Sequence, residues 1–461
     1  MSMARDVAST ELAPADAVDL PITIGARLDR MPTTRFHRQL LLVIGAGLLV
    51  DGIDVYLTSG VAGALVKQGA ASLREVAALA ISTTAGLGVG GFACGVLADR
   101  LGRRPTMQWT LLIVIIGSMG AALASSIPHL LAWRSLTALG LGGETVLGYA
   151  MLGEFLPPAV RGRWLARLAF LSNVGMPLAL FLGYFILPLA EGWRWMLAIP
   201  GFAAIPVLYL RRNLIESPRW LVTRARGDEA DALVSKIERG VSQPLPPVTS
   251  HSAHYSVAPR AERAATLFAR CNRVRLVVGA AVSVAIMSAV FGFVSWLPTF
   301  FAAEGKDIAS SALFSGLMSI GCPVGVLLGM QITDRIERKW GVVAGSLIAA
   351  LLGACYAFAS TPLLIVTTGF LVVTAVYVTG TLGLIGYVPE LYPTELRMRS
   401  VGFTATAGRV VAVGLPFAIV PVFSATGQAG VVGMISAILV GQALIVAVFG
   451  VRTRGRPLEA I

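Results

Sequence analysis

Twelve runs of about twenty apolar residues, six on each side of a polar stretch, leave this chain few ways to fold. The first set covers 40–66, 76–98, 106–125, 130–152, 165–189 and 195–210; the second covers 276–301, 312–332, 341–359, 363–388, 401–422 and 430–451. Inside a bilayer every backbone N–H and C=O must bond within the protein, so runs of this length read as helices. With 56% hydrophobic residues, 13% charged residues and a mean hydropathy of +0.76, the chain is too apolar for a soluble globular protein. An all-α integral membrane fold of twelve transmembrane helices is expected, as two six-helix bundles at 39–212 and 274–451. A tail at 1–38, a connector at 213–273 and a tail at 452–461 complete it, and the first 38 residues read as flexible.

The net charge of +12 needs no nucleic acid, because the basic residues fall in the short loops between runs. With twelve spans, Arg35, Arg38, Arg100, Arg103, Arg104, Arg161, Arg163, the connector, Arg335, Arg338, Lys339, Arg397, Arg399, Arg452 and Arg454 share one side. Both termini are therefore expected in the cytoplasm, with the chain in the bacterial inner membrane. The cysteines show no pairing or metal-ligand pattern, and His251 and His254 lack a third ligand. No phosphate-cradling loop is present, which argues against direct ATP drive.

The halves repeat each other. Glu154-x-x-Pro157-x-x-x-Arg161-x-Arg163 returns as Glu390-x-x-Pro393-x-x-x-Arg397-x-Arg399, 236 residues later. Asp99-Arg100-Leu101-Gly102-Arg103-Arg104 is echoed by Asp334-Arg335-Ile336-Glu337-Arg338-Lys339 at an offset of 235. Parallel repeats of this kind belong to transporters that rock one half against the other. The stretch Gly95 to Arg104 resembles the G-x-x-x-D-R-x-G-R-R loop signature of the major facilitator superfamily. Arg134 with Gly140-Leu141-Gly142-Gly143 resembles its fourth-helix pattern, although Ala138 stands where glycine is usual. Glu216-Ser217-Pro218-Arg219-Trp220-Leu221 resembles the sugar-porter branch. Asp51-Gly52-x-Asp54 and Trp296-Leu297-Pro298-Thr299 resemble the aromatic-acid/proton symporters. The resemblance implies that Asp99 is a latch carboxylate, with Arg100, Gly102, Arg103 and Arg104 around it and with Glu154, Arg161, Asp334, Arg335, Glu390 and Arg397 as switch parts.

Charges inside the apolar runs carry the functional reading. A carboxylate near the bilayer centre costs roughly 2.5–3.5 kcal/mol on insertion scales and persists only facing protein or water. Asp51, Asp54 and Glu144 lie at such depths, so they are the candidate proton carriers. Gly52 between the two aspartates invites close approach by a neighbouring helix or a ligand. Arg134 reads as shallow. Arg409 lies near mid-depth, where a guanidinium suits a substrate carboxylate or an ion pair. Asn173, Trp296, Tyr377 and Tyr387 are candidate cavity liners. The chain is thus expected to be a monomeric secondary transporter without catalysis or a bound cofactor, driven by the proton gradient, for a small organic acid such as an aromatic carboxylate. A sugar or polyol porter and a non-transporting membrane sensor are the alternatives.

Overall fold

The computed structural model describes residues 20–241, 244–245, 270–333, 335–392 and 394–453. The first half holds α1 (Leu20–Asp29), α2 (Arg35–Lys67), α3 (Leu73–Leu101), α4 (Arg103–Ala122), α5 (Ile127–Phe155), α6 (Pro158–Ile186) and α7 (Gly192–Arg211). The connector contributes α8 (Pro218–Thr223) and α9 (Gly227–Arg239). The second half holds α10 (Arg270–Gly292), a 3-10 turn at Val294–Trp296, α11 (Leu297–Ala303), α12 (Ile308–Ser319), α13 (Gly321–Thr333), α14 (Arg338–Ala357) and α15 (Pro362–Gly380). A π-helical stretch at Thr381–Tyr387, α16 (Val388–Glu390) and α17 (Thr394–Phe449) follow.

Ten helical stretches among the described residues are long and apolar enough to cross a membrane. Twelve spans result when α5 is added and α17 is counted as two. The 56 residues of α17 turn at Gly427, whose φ of +67° and ψ of −161° suit a residue without a Cβ. Pro298 sits in the first turn of α11, where its missing N–H leaves no helical bond unmade.

Helices α2 to α7 pack together, as do α10 to α17, and the halves meet through α2 against α11, α3 against α17, and α6 against α12 and α13. Glycines set two of the closest approaches. A Cβ at Gly52 would strike Ser172 O of α6, and one at Gly175 would lie 2.6 Å from the backbone of Gly52, so the first and fifth spans touch main chain to main chain there. A Cβ at Gly63 would lie 2.9 Å from Pro298 O, which joins the halves at the end away from the basic loops. Lys67 Nζ donates to Gly305 O at 3.0 Å at that same end.

One expectation is corrected. The stretch 1–38 is not flexible throughout, because α1 docks on α8 and α9. Ile24, Leu28 and Met31 are buried in an apolar cluster with Trp220, Leu221, Ala230, Val234 and Ile237. Charged residues on the other side of α1 hold it in place: Arg27 donates to Glu238 at 2.6 Å and 3.2 Å, Arg30 donates to Glu238 at 2.8 Å, and Arg27 also pairs with Asp231. Asp29 accepts from Arg219 at 2.6 Å. The sequence hid this because the apolar stripe of α1 is one short face among small and acidic residues.

The hydrogen bonds from Arg27, then those from Arg30, hold the Glu238 carboxyl below the usual glutamate range. A carboxylate depressed on folding stabilises the docked state above its unfolded value of about 4.3 and ceases to do so as pH falls through the depressed one. Hydrogen exchange at the α1 amides is therefore expected to accelerate as the pH is lowered from 6 toward 3, beyond the intrinsic trend. Glu238→Gln should raise it about two- to fivefold already at neutral pH, the effect of a partly exposed pair worth up to ~1 kcal/mol. Unchanged protection in the variant would show that the apolar face alone seats α1.

Candidate transport site

The first half buries five charged side chains in one connected region. Asp54, Arg134, Glu144 and Arg211 are fully buried and Asp51 is 3% exposed. Along α2 the stripe runs Gly47, Asp51, Asp54, Thr58, spaced by three or four residues so that all share one face. At one end Arg134 Nη2 donates to Asp54 Oδ1 at 2.6 Å and to Thr58 Oγ1 at 2.6 Å, while Ser118 Oγ donates to Asp54 Oδ2 at 3.2 Å. At the other end Glu144 pairs with Arg211, the last residue of α7, and accepts from Thr110 Oγ1 at 2.8 Å. Gly47 makes room for that pair, since a Cβ there would lie 2.9 Å from Arg211 Cζ and 2.7 Å from Glu144 Oε1.

Asp51 lies between the pairs, and neither of its carboxyl oxygens has a hydrogen-bond partner among the described residues. Thr145 is close, but its hydroxyl donates to Leu141 O at 3.0 Å. The three sequence candidates therefore divide. Asp54 and Glu144 are committed to ion pairs, and only Asp51 is left single. Arg134, which reads as shallow, is fully buried, because α2 supplies its anion. Arg211, one residue past the apolar run that ends at 210, is the partner that Glu144 requires.

Between the halves lies a cavity of about 220 Å³. Tyr56 and Tyr377 face each other across it with hydroxyls 2.9 Å apart. Asn173 lines it from α6, its Nδ2 donating to Ala169 O at 2.8 Å and its Oδ1 accepting from Cys322 Sγ at 3.3 Å. The remaining wall is apolar, including Ile286, Met287, Val290 and Phe291. Trp296 lines a second, smaller cavity of about 60 Å³ with Thr58 and Thr299. Tyr387 is corrected: its hydroxyl donates to Val451 O at 3.0 Å, and the buried ring packs where the π-helical stretch ends. Tyr56 and Cys322 were not singled out in the sequence, since a lone tyrosine or cysteine in an apolar run carries no local signal.

Arg409 of α17 is exposed, and it has no ion-pair partner among the described residues. Its guanidinium reaches toward the first half, 3.8 Å from where a Cβ on Gly91 would stand. Its neighbour Gly408 packs on Met287 of the cavity wall. This membrane-embedded geometry has counterparts of known class. The sequence pattern of the sugar (and other) transporter family matches residues 62–461. The chain belongs to that family, within the major facilitator superfamily.

The inner membrane metabolite transport protein YdjE of Escherichia coli is 31% identical to the transporter over 443 residues, covering 95% of this chain and 98% of that one. The niacin transporter NiaP of Acinetobacter baylyi is 28% identical over 449 residues, covering 95% and 99%. In fold, the transporter matches the partially occluded inward-open xylose transporter XylE of E. coli with a TM-score of 0.71. That match has 20% identity and covers 92% of this chain and 100% of that one.

At the basic end the repeated loops hold repeated ion pairs. Arg103 pairs with Glu154 at 3.1 Å and Arg338 with Glu390 at 2.5 Å, the same constellation in each half. Arg161 joins Asp29 at 3.7 Å and donates to Leu156 O instead of meeting Glu154. Gly102, at φ +109°, ends α3 and starts α4. There the Glu216 carboxylate accepts from Arg103 N at 3.0 Å and Arg104 N at 3.2 Å, capping a helix that has no cap of its own. Trp220 Nε1 donates to Asp99 O at 3.0 Å, so the connector motif clamps the signature loop. The Asp99 side chain is 75% exposed and pairs with Arg103 of its own half. Arg100 and Arg335 are exposed; Asp334 and the side chain of Arg397 lie outside the described residues.

Proposed function

We propose that this chain imports a small organic acid, such as an aromatic carboxylate, together with protons by alternating access in the bacterial inner membrane. One observation carries the reading: when charges in the membrane interior are matched among the described residues, two ion pairs are complete and one acid and one base are left over. Asp51 is the leftover acid, buried without a partner, where a carboxyl group is tolerated as the neutral form and is costly as the anion. Arg409 is the leftover base, exposed beside the interface between halves and without an ion-pair partner among the described residues, so it is available to an anion.

The cavity's character agrees with such a substrate. At about 220 Å³ it is smaller than the ~300–1,000 Å³ pockets that hold drug-sized ligands. Its tyrosine hydroxyls are occupied with each other and Asn173 with Cys322 and Ala169, which leaves few free partners for a polyhydroxyl sugar. Relatives named for metabolite and niacin transport are consistent with that class. Asp99, unpaired with the second half among the described residues, is then a latch released at the cytoplasmic end while the opposite end is closed at Gly63 and Lys67.

In proteoliposomes, an inward pH gradient is expected to drive uptake of labelled nicotinate or benzoate, with xylose as the comparator, and an uncoupler to abolish it. Arg409→Gln should raise KM for the carboxylate roughly 10- to 150-fold, the range of a lost charge-assisted hydrogen bond at about 1.5–3 kcal/mol. Xylose transported in preference, with Arg409→Gln silent, would favour the sugar porter.

A further inference from the structure

The buried charges of the first half form one set whose balance fixes how many protons it holds. Asp51 is faced by Asp54 from its own helix, by Arg134 and Glu144 from α5, and by Arg211 from α7; α6 presents backbone at Ser172, and α4 presents the hydroxyls of Thr110 and Ser118. The thiol of Cys94 on α3 lies beside Gly143 and Glu144. Glu144, Arg211 and Asp54 all act on Asp51 electrostatically. Three carboxyl groups stand against two guanidiniums, so the fully ionised set carries one negative charge in a region that water does not reach. A single proton makes it neutral.

We propose that this set carries one proton per cycle on Asp51, and that Arg211 answers its release by turning from Glu144 to Asp51. The step balances simply: the Asp51 carboxyl loses H⁺ to water in the conformation that wets it, and the carboxylate left behind takes a guanidinium N–H bond. Arg211 has the donors for it, because its Nε and Nη1 have no hydrogen-bond partner among the described residues. It also has the space, because Gly47 places no Cβ between its guanidinium and the face of α2 on which Asp51 sits one turn away. When Arg211 turns, the one negative charge of the set passes to Glu144, which keeps the hydrogen bond from Thr110 Oγ1 to its Oε2 at 2.8 Å. Arg134 has the same two unpartnered nitrogens among the described residues but is the poorer candidate, because its Nη2 is held by Asp54 Oδ1 and Thr58 Oγ1 together. Arg211 and Glu144 are thus positioning residues for the proton, and the inference rests on Asp51 being the group that carries it.

Charge counting gives a test that needs no substrate. Infrared spectroscopy of the purified protein in detergent near neutral pH should show one buried protonated-carboxyl band, absent in Asp51→Asn. Glu144→Gln leaves two acids against two bases, so Arg211 should claim Asp51 as an anion and the band should vanish. Adding Arg211→Gln to Glu144→Gln removes that claim, and the band should return. Retention of the band in Glu144→Gln, or its absence from the double variant, would overturn the one-proton set. Loss of the Glu144→Gln protein from the membrane while Asp51→Asn accumulates there would overturn it too, since it would mean that Arg211 cannot reach Asp51. A parent protein without the band would remove the proton from Asp51 altogether. Failure of acid uptake in proteoliposomes, with the band pattern as expected, would instead refute only the substrate reading.

Discussion

Asp51→Asn is expected to abolish accumulation of substrate while leaving exchange across the membrane intact. The amide has nearly the shape of the neutral acid and carries no charge, so it occupies the same dry position without asking for a partner it lacks now. Stability should change little, because neither oxygen makes a hydrogen bond to lose. What disappears is the exchangeable proton. With one proton per substrate, each pH unit of gradient is worth about 1.4 kcal/mol, or a tenfold concentration ratio. Two pH units should therefore let the parent protein accumulate substrate up to roughly a hundredfold, and the variant only to equality. The check is a paired measurement in proteoliposomes: net uptake under a pH gradient, and counterflow without one. Loss of both with normal protein abundance would make Asp51 a structural residue, and unimpaired accumulation would move coupling elsewhere.

The difference between Asp51 and its neighbours explains how far the sequence could be read. Hydropathy alone gives the spans, since backbone bonding in lipid permits only helices at those lengths, and the structure fills them. The repeated Glu154 and Glu390 motifs correctly announce two equivalent halves, but not their partners: each acid meets the arginine of the preceding signature loop, Arg103 or Arg338, a contact made by folding and not by spacing. Gly52 is legible for the opposite reason, because a residue without a side chain inside a helix implies something close, and Ser172 O is there. Asp51, Asp54 and Glu144 are legible as a group through the cost of placing each in lipid. Their division into one single acid and two paired ones is not. It depends on Arg134 and Arg211, one read as shallow and the other as lying beyond its helix, and on which way each guanidinium turns. Pairings between helices are three-dimensional facts, and the periodicity of any one helix is silent about them.

Breaking the Asp54–Arg134 pair is expected to have the largest effect on the protein itself. Both side chains are fully buried, the bond is 2.6 Å, and Ser118 and Thr58 complete the anion and the cation. Removing one partner leaves the other charge in a low-dielectric interior, at a cost of about 3–5 kcal/mol, comparable to half the stability of an ordinary domain. Arg134→Met should therefore strip most of the protein from the membrane fraction or lower its melting temperature sharply in detergent. Asp54→Asn should do nearly as much, because the amide satisfies a hydrogen bond and not the charge. The informative variant is the double one, Asp54→Asn with Arg134→Met, in which no charge is left uncompensated. Replacing a buried pair by neutral groups is often close to neutral for stability, so abundance should recover toward the parent level. Recovery of folding together with gradient-driven uptake would show that the pair is scaffold and that Asp51 alone carries the proton. Recovery of folding without accumulation would mean that Asp54 also takes part in coupling. Should Arg134→Met already accumulate at parental levels, the pair would prove too weak to organise the first helix, and the membrane-interior charge balance on which the transport reading stands would fail with it.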